Sequence, residues 1–177
     1  MDAGSSGERV TPGGIELLLA EREIREVIYR YCRGVDRVDL ALVRGCYHDD
    51  AIDDHGGFRG EPDAYLSWLS GRLARYLHTS HTIGNVLMRI EGRSAWVESY
   101  CTVRQRLRED GELVDRTGDL RYVDRFEHRE GCWRIAHRRV VWGTVRVDPF
   151  QAGEFPAGAL RASRDRSDPS YATEEQL

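Results

Sequence analysis

At His81 the chain changes its hydrophobic period, and that change constrains its fold more than any other feature. Before it, apolar residues recur at spacings of three and four; after it come long runs rich in β-branched and aromatic residues. The runs are HTIGNVLMRI (81–90), SAWVESYCTVRQRL (94–107), DLRYVDRFEH (119–128) and CWRIAHRRVVWGTVRV (132–147). Between them stand Glu91-Gly92, Asp110-Gly111 and Glu130-Gly131, and an acidic residue followed by glycine is a hairpin signal, strongest for Asp-Gly. Helices first and a meander afterwards predict an α+β domain. Three helices pack on one face of a bent antiparallel sheet, which can wrap around a cavity open at one end.

The helical part divides in three. Ile24, Val27, Ile28, Tyr31 and Val35 share one helical face. After Gly34, Asp39 suits the N-cap of a second run carrying Leu40, Val43, Cys46 and Tyr47. Asp36 therefore falls at a joint between helices, where a side chain can face a pocket. AIDDHGGFRG (51–60) predicts a short strand ending in glycine-rich turns, and Pro62 suits the first turn of a third helix with a stripe of Tyr65, Trp68, Leu69, Leu73 and Tyr76. Residues 1–14 predict a loose tail, 15–148 the pocket domain, and 149–177 an extended or disordered end, free to lie across a partner subunit.

Composition narrows the chemistry. Hydrophobic residues are 40% of the 177, enough for a core, and the net charge of −4 shows no basic block for nucleic acid. All 26 basic residues are arginine, which excludes Schiff-base or lysine-base chemistry. Cys32, Cys46, Cys101 and Cys132 match no zinc spacing, and no apolar run approaches the ~20 residues of a membrane span. The N-terminus carries no apolar core of signal-peptide type. The expectation is a cytoplasmic protein with free thiols, no nucleic-acid or membrane partner and no metal. Asp49, Asp50, Asp53, Asp54 and His55, and the pair His78 and His81, are ligand types without a complete ligand set. Arg121, Arg125, Arg129 and the Arg138–Arg139 pair read as solvated or inter-subunit arginines.

Five segments together resemble the SnoaL-like branch of the nuclear transport factor 2-like superfamily. They are YCRGVD (31–36), CYHDDAIDDHGGFRG (46–60), HTIGN (81–85), AWVESY (95–100) and YVDRFEHREGCWRIAHRRVV (122–141). The resemblance implies a cone-shaped barrel of curved antiparallel sheet with three N-terminal helices. That superfamily holds dehydratases, a dehydrochlorinase, ketosteroid isomerases, polyketide cyclases and members without catalysis, so fold alone does not choose a reaction. Asp36 matches the aspartate and His81 the histidine of the dehydratase and dehydrochlorinase dyad, in which histidine takes a proton from carbon and aspartate orients it. Tyr31 matches the tyrosine that precedes the aspartate in bile-acid dehydratases.

Two helpers of those dehydratases do not carry over. SYCTVRQ (99–105) lacks their further carboxylate, and Trp142 stands where they have an arginine, with Arg138 and Arg139 a few residues earlier.

An imidazole that titrates near neutrality, backed by a carboxylate, is suited to proton abstraction. Tyr31 or Tyr100 can donate a hydrogen bond to a leaving group or enolate. The expected catalytic set is Asp36, His81 and Tyr31; the expected substrate-binding set is Tyr100, His55, Asn85, Arg138 and Trp142. The bland readings stand beside these: Asp36 as a helix cap, His81 as a satisfied core histidine, Tyr31 as core packing. The expected function is a cofactor-independent lyase or isomerase, dehydratase-like, for a small and largely apolar steroid-, polycyclic- or polyketide-like molecule. The alternatives are a non-catalytic binding or assembly module and a polyketide cyclase using Asp36 alone. Apolar strand residues Trp96, Trp133 and Val141 predict a homo-oligomer, most simply a two-fold dimer.

Overall fold

The computed structural model describes residues 12–172; the expected tails 1–14 and 149–177 thus lie partly outside the described residues. Helix α1 (Pro12–Asp36) buries Ile24, Val27, Ile28, Tyr31 and Val35. A short α2 (Leu40–Arg44) follows, then β1 (Tyr47–Asp54), β2 (Arg59–Gly60) and α3 (Pro62–Leu73). Four long strands complete the domain: β3 (Tyr76–Glu91), β4 (Ser94–Glu109), β5 (Glu112–Arg129) and β6 (Cys132–Pro149). Two aromatic residues expected in helices stand in strands instead. Tyr47 opens β1 and Tyr76 opens β3; both are buried, and an aromatic at a strand start fills the same core that a helical stripe would.

The sheet order is β2-β1-β6-β5-β4-β3. It is mixed rather than purely antiparallel, because β1 runs parallel to β6. The β3–β6 meander is antiparallel throughout. Its hairpins turn at Gly92, at Asp110-Gly111 and at Glu130-Gly131, where both residues of the last two loops take positive φ, as a two-residue turn matched to strand twist requires.

Side chains alternate along β4, so Ala95, Val97, Ser99, Cys101 and Val103 face inward. Bulges change that parity in the neighbours. In β6, Ala136 is the extra residue between the Phe126–Ile135 and Arg125–His137 pairs, and it turns Arg138 and Val140 inward. Gly143 is a second extra residue, and Trp142 pairs with the inward Leu120. α1 and α3 close the concave side, and the core lies between them and the sheet. Trp133, one of the apolar strand residues from which a homo-oligomer is expected, is buried inside.

Among the described residues beyond Pro149 the chain runs without strand to a 3-10 turn at Pro169–Tyr171. Part of it lies on this chain's own helix joint. Arg164 donates to the carbonyls of Leu73 and Tyr76, Arg37 meets Asp168 at 3.1 Å, and Tyr171 donates to Asp39 at 3.1 Å.

Candidate active site

A cavity of about 250 Å³ opens between the helices and the concave sheet. α1 contributes Tyr31 and Val35; β1 and its following turn contribute His55 and Gly57; α3 contributes Tyr65, Trp68, Leu69, Arg72 and Leu73. The sheet supplies Tyr76, Thr79, His81, Val103, Gln105, Leu120, Tyr122 and Trp142. An apolar and aromatic wall with a few convergent polar groups suits a small organic molecule.

His81 pairs with the buried Val103 across β3 and β4, which aims both toward the cavity. Asp36 ends α1 just behind it. The Asp36 carboxylate holds His81 twice: Oδ1 lies 2.6 Å from ring Nδ1, and Oδ2 accepts the backbone N–H at 2.9 Å. This grip leaves Nε2 as the ring atom outside the contact. Asp36 itself does not line the cavity. Burial pushes the Asp36 carboxyl up, but the hydrogen bonds and electrostatic pull of His81 outweigh it and hold the pKa below the ordinary carboxylate range.

The helix joint explains why Asp36 stands there. α1 ends in a Schellman arrangement: Asp39 N–H donates to Gly34 O at 2.8 Å and Val38 N–H to Val35 O at 3.3 Å. Asp39, not Asp36, caps α2, accepting from Leu42 N–H. Helix capping therefore gives no account of Asp36. Gly34 lets the two helices touch, since a Cβ there would lie 2.7 Å from Val43 Cγ2.

Tyr31 lies deeper. Its hydroxyl is 2.6 Å from that of Tyr65. Burial pushes both phenols well above their ordinary pKa, so both stay protonated. Beneath Tyr31 is the buried ion pair of Arg138 and Asp124, bidentate at 2.9 and 2.6 Å. The Arg138 guanidinium sits 4.2 Å from the Tyr31 ring centre and 4.1 Å from that of Tyr122, where cation–π attraction adds to packing. Burial pushes Asp124 up, and Arg138 offsets this only in part.

The expected substrate-binding residues divide. His55 and Trp142 line the cavity. Arg138 is fully buried and does not reach the lining; it acts on Tyr31 from behind. Tyr100 points to the outer face, 46% exposed, beside Arg121. Its parity in β4 is opposite to that of Cys101, so it cannot serve the cavity. Asn85 is exposed in the bulge where residues 84 and 85 oppose Tyr100. Sequence reasoning missed Asp53, Tyr65, Tyr122, Trp68 and Gln105. Asp53 and His55 do share a strand face, but nothing local shows that this face is the buried one. Among the described residues no group of three His, Cys, Asp or Glu side chains is placed to hold a metal, and no helix is long and apolar enough to cross a membrane. Arg121, Arg125 and Arg129 pair with acidic side chains, chiefly Glu98 and Glu127.

Comparison with known families places this geometry. The model of the SnoaL-like domain matches residues 16–139. The chain belongs to the SnoaL-like domain family. No curated protein matches its sequence. Solved structures match in fold. A candidate scytalone dehydratase from Novosphingobium aromaticivorans is 20% identical with a TM-score of 0.68, over 82% of this chain and 97% of that one. The hexachlorocyclohexane dehydrochlorinase LinA-type3 from Novosphingobium barchaimii is 15% identical, TM-score 0.71, over 80% and 99%. A Mycobacterium tuberculosis protein of unknown function is 22% identical, TM-score 0.65, over 76% and 77%. At such identities the likeness establishes the α+β SnoaL-like fold with its curved mixed sheet, and not a reaction.

Proposed function

We propose that this SnoaL-like protein is a cofactor-independent lyase that eliminates water or a similar leaving group from a small, largely apolar carbonyl compound. One observation carries the reading: the Nδ1–carboxylate contact of His81 and Asp36 at the wall of an aromatic cavity. His81 takes a proton from the carbon next to the carbonyl. Asp36 keeps the ring in one tautomer and stabilises the imidazolium that forms. The names of two structural neighbours, a dehydratase and a dehydrochlorinase, both denote eliminations. The cavity volume is at the small end of ligand sites, typically ~300–1,000 Å³, so a compound of one or two rings suits it better than a steroid. Asp36 lies outside the lining, which weighs against a cyclase in which Asp36 alone moves the proton. A homodimer through the outer sheet face completes the reading, with Trp96 and Tyr100 exposed there.

Generic probes suffice to test this, whatever the natural substrate is. Enolisable and β-hydroxy ketones of one or two rings are incubated in D₂O, and deuterium uptake is followed by NMR. Wild-type exchange should fall by at least ~100-fold in His81→Ala, the usual worth of a positioned general base. Asp36→Asn should impair it too, because an amide does not stabilise imidazolium. Equal exchange in wild type and His81→Ala would remove the base, and binding without exchange would leave a ligand-binding module.

A further inference from the structure

Dehydration with His81 as base, the reading on which this inference rests, is helped by a proton donor at the departing oxygen. A departing hydroxyl leaves more easily when protonated, while His81 is occupied in taking a proton from carbon. A second histidine–aspartate contact stands in the cavity wall. On β1 and the residue after it, Asp53 and His55 share a face, and His55 Nδ1 bonds to Asp53 Oδ1. Asp53 is fully buried. Its other oxygen accepts from Tyr47 Oη at 2.6 Å. With Nδ1 so engaged, Nε2 of His55 is directed at two phenols, 3.4 Å from Tyr31 Oη and 3.4 Å from Tyr65 Oη. The His55 ring stacks on Tyr65, with centres 4.9 Å apart. His55, Tyr31 and Tyr65 all line the cavity that His81 lines. The two phenols, 2.6 Å apart, spend one proton on the bond between them; the other is free for the cavity, and a proton on His55 Nε2 can be donated to either phenol oxygen.

We propose that Asp53 and His55 form an acid-side dyad that supplies the leaving group's proton through the Tyr31–Tyr65 hydroxyl pair. In the step, His81 Nε2 takes the proton from carbon, and the freed C–H electron pair becomes the C=C bond. The C–O pair leaves with the hydroxyl oxygen, which takes a phenolic proton from Tyr31 or Tyr65. As it does so, the same phenol oxygen takes the proton on His55 Nε2, so that no free phenolate forms in the buried site. The products are the unsaturated compound and water; His81 has gained one proton and His55 has lost one, and exchange with solvent resets both. His55 acts through the phenols and is a positioning and proton-supplying residue. The ionisable groups around it are Asp53 and Tyr47 from β1, Tyr31 from α1 and Tyr65 from α3. Arg138 pairs in register with Asp53 and is neutralised by Asp124. Phe58 and Trp68 complete the apolar surround.

Leaving groups that differ in their need for a proton test this. The probes are a β-hydroxytetralone, whose dehydration gives a naphthol read by absorbance, and its β-chloro counterpart, whose chloride departs unprotonated. Rates are taken above the buffer rate, with thermal unfolding as the check on folding. His55→Gln should slow dehydration about 100-fold more than it slows chloride loss or deuterium uptake, the lower range for a positioned acid. Tyr65→Phe, which removes one oxygen, should show the same dependence on leaving group. Equal losses with hydroxyl and chloride, in both variants, would make His55 a packing residue and overturn the proposal. His81→Ala separates the two ideas: it should lose exchange and both eliminations. If it retains them, the base assignment fails whatever His55 does. A wild type that processes neither probe nor exchanges its α-proton would sink the elimination reading and the relay together.

Discussion

Val38 occupies the position after α1 where glycine usually stands, with φ +55°. A β-branched residue in the left-handed region is strained, by roughly 1–2 kcal/mol. The strain persists because Asp39 N–H and Val38 N–H are both claimed by the end of α1, and it sits two residues from Asp36. Val38→Gly should raise stability by about 1 kcal/mol, a Tm gain of roughly 2–4 °C for a domain of this size, measured by calorimetry. A fall in Tm would mean that the glycine's extra freedom in the unfolded chain outweighs the strain. Asp36 and His81 were legible in sequence through YCRGVD and HTIGN. The pairing of Asp53 with His55 was not, because spacing shows only that they share a face. Burial of that face is set by strand neighbours far along the chain.

At the scale of elements, a charged pair inside the core joins β6 to β5, and its arginine reaches across to α1. Arg138 and Asp124 are both fully buried, and Arg138 supports the Tyr31 ring. Removing one partner strands the other without compensation. Arg138→Met should cost about 3–5 kcal/mol in urea unfolding, whereas Arg138→Met combined with Asp124→Leu should recover most of it. A single variant as stable as wild type would show that Asp124 is neutral in the fold. The inward turn of Arg138 depends on the bulge at Ala136. Alternation read straight along CWRIAHRRVV places Arg138 opposite to Ile135, since an odd spacing changes face. One extra residue reverses that, and nothing in the local composition announces it.

For the whole molecule, the outer sheet face exposes Trp96 and Tyr100 at 39% and 46%, among arginines paired to Glu98 and Glu127. Such a face suits self-association by a two-fold axis, where one patch meets its own copy. Light scattering should give twice the chain mass of 20.3 kDa at micromolar concentration, and Trp96→Glu should reduce it to one chain. A wild-type mass of one chain would contradict the dimer. The sequence by itself determined the order of elements, the hairpin turns and the buried stripe of α1, because these depend on neighbours within a few residues. Only the tertiary structure decided the parallel β1–β6 contact, the outward Tyr100, the buried Arg138 and the meeting of His55 with Tyr31 and Tyr65. Those arrangements depend on register between distant strands, and a single bulge changes which face every later side chain takes.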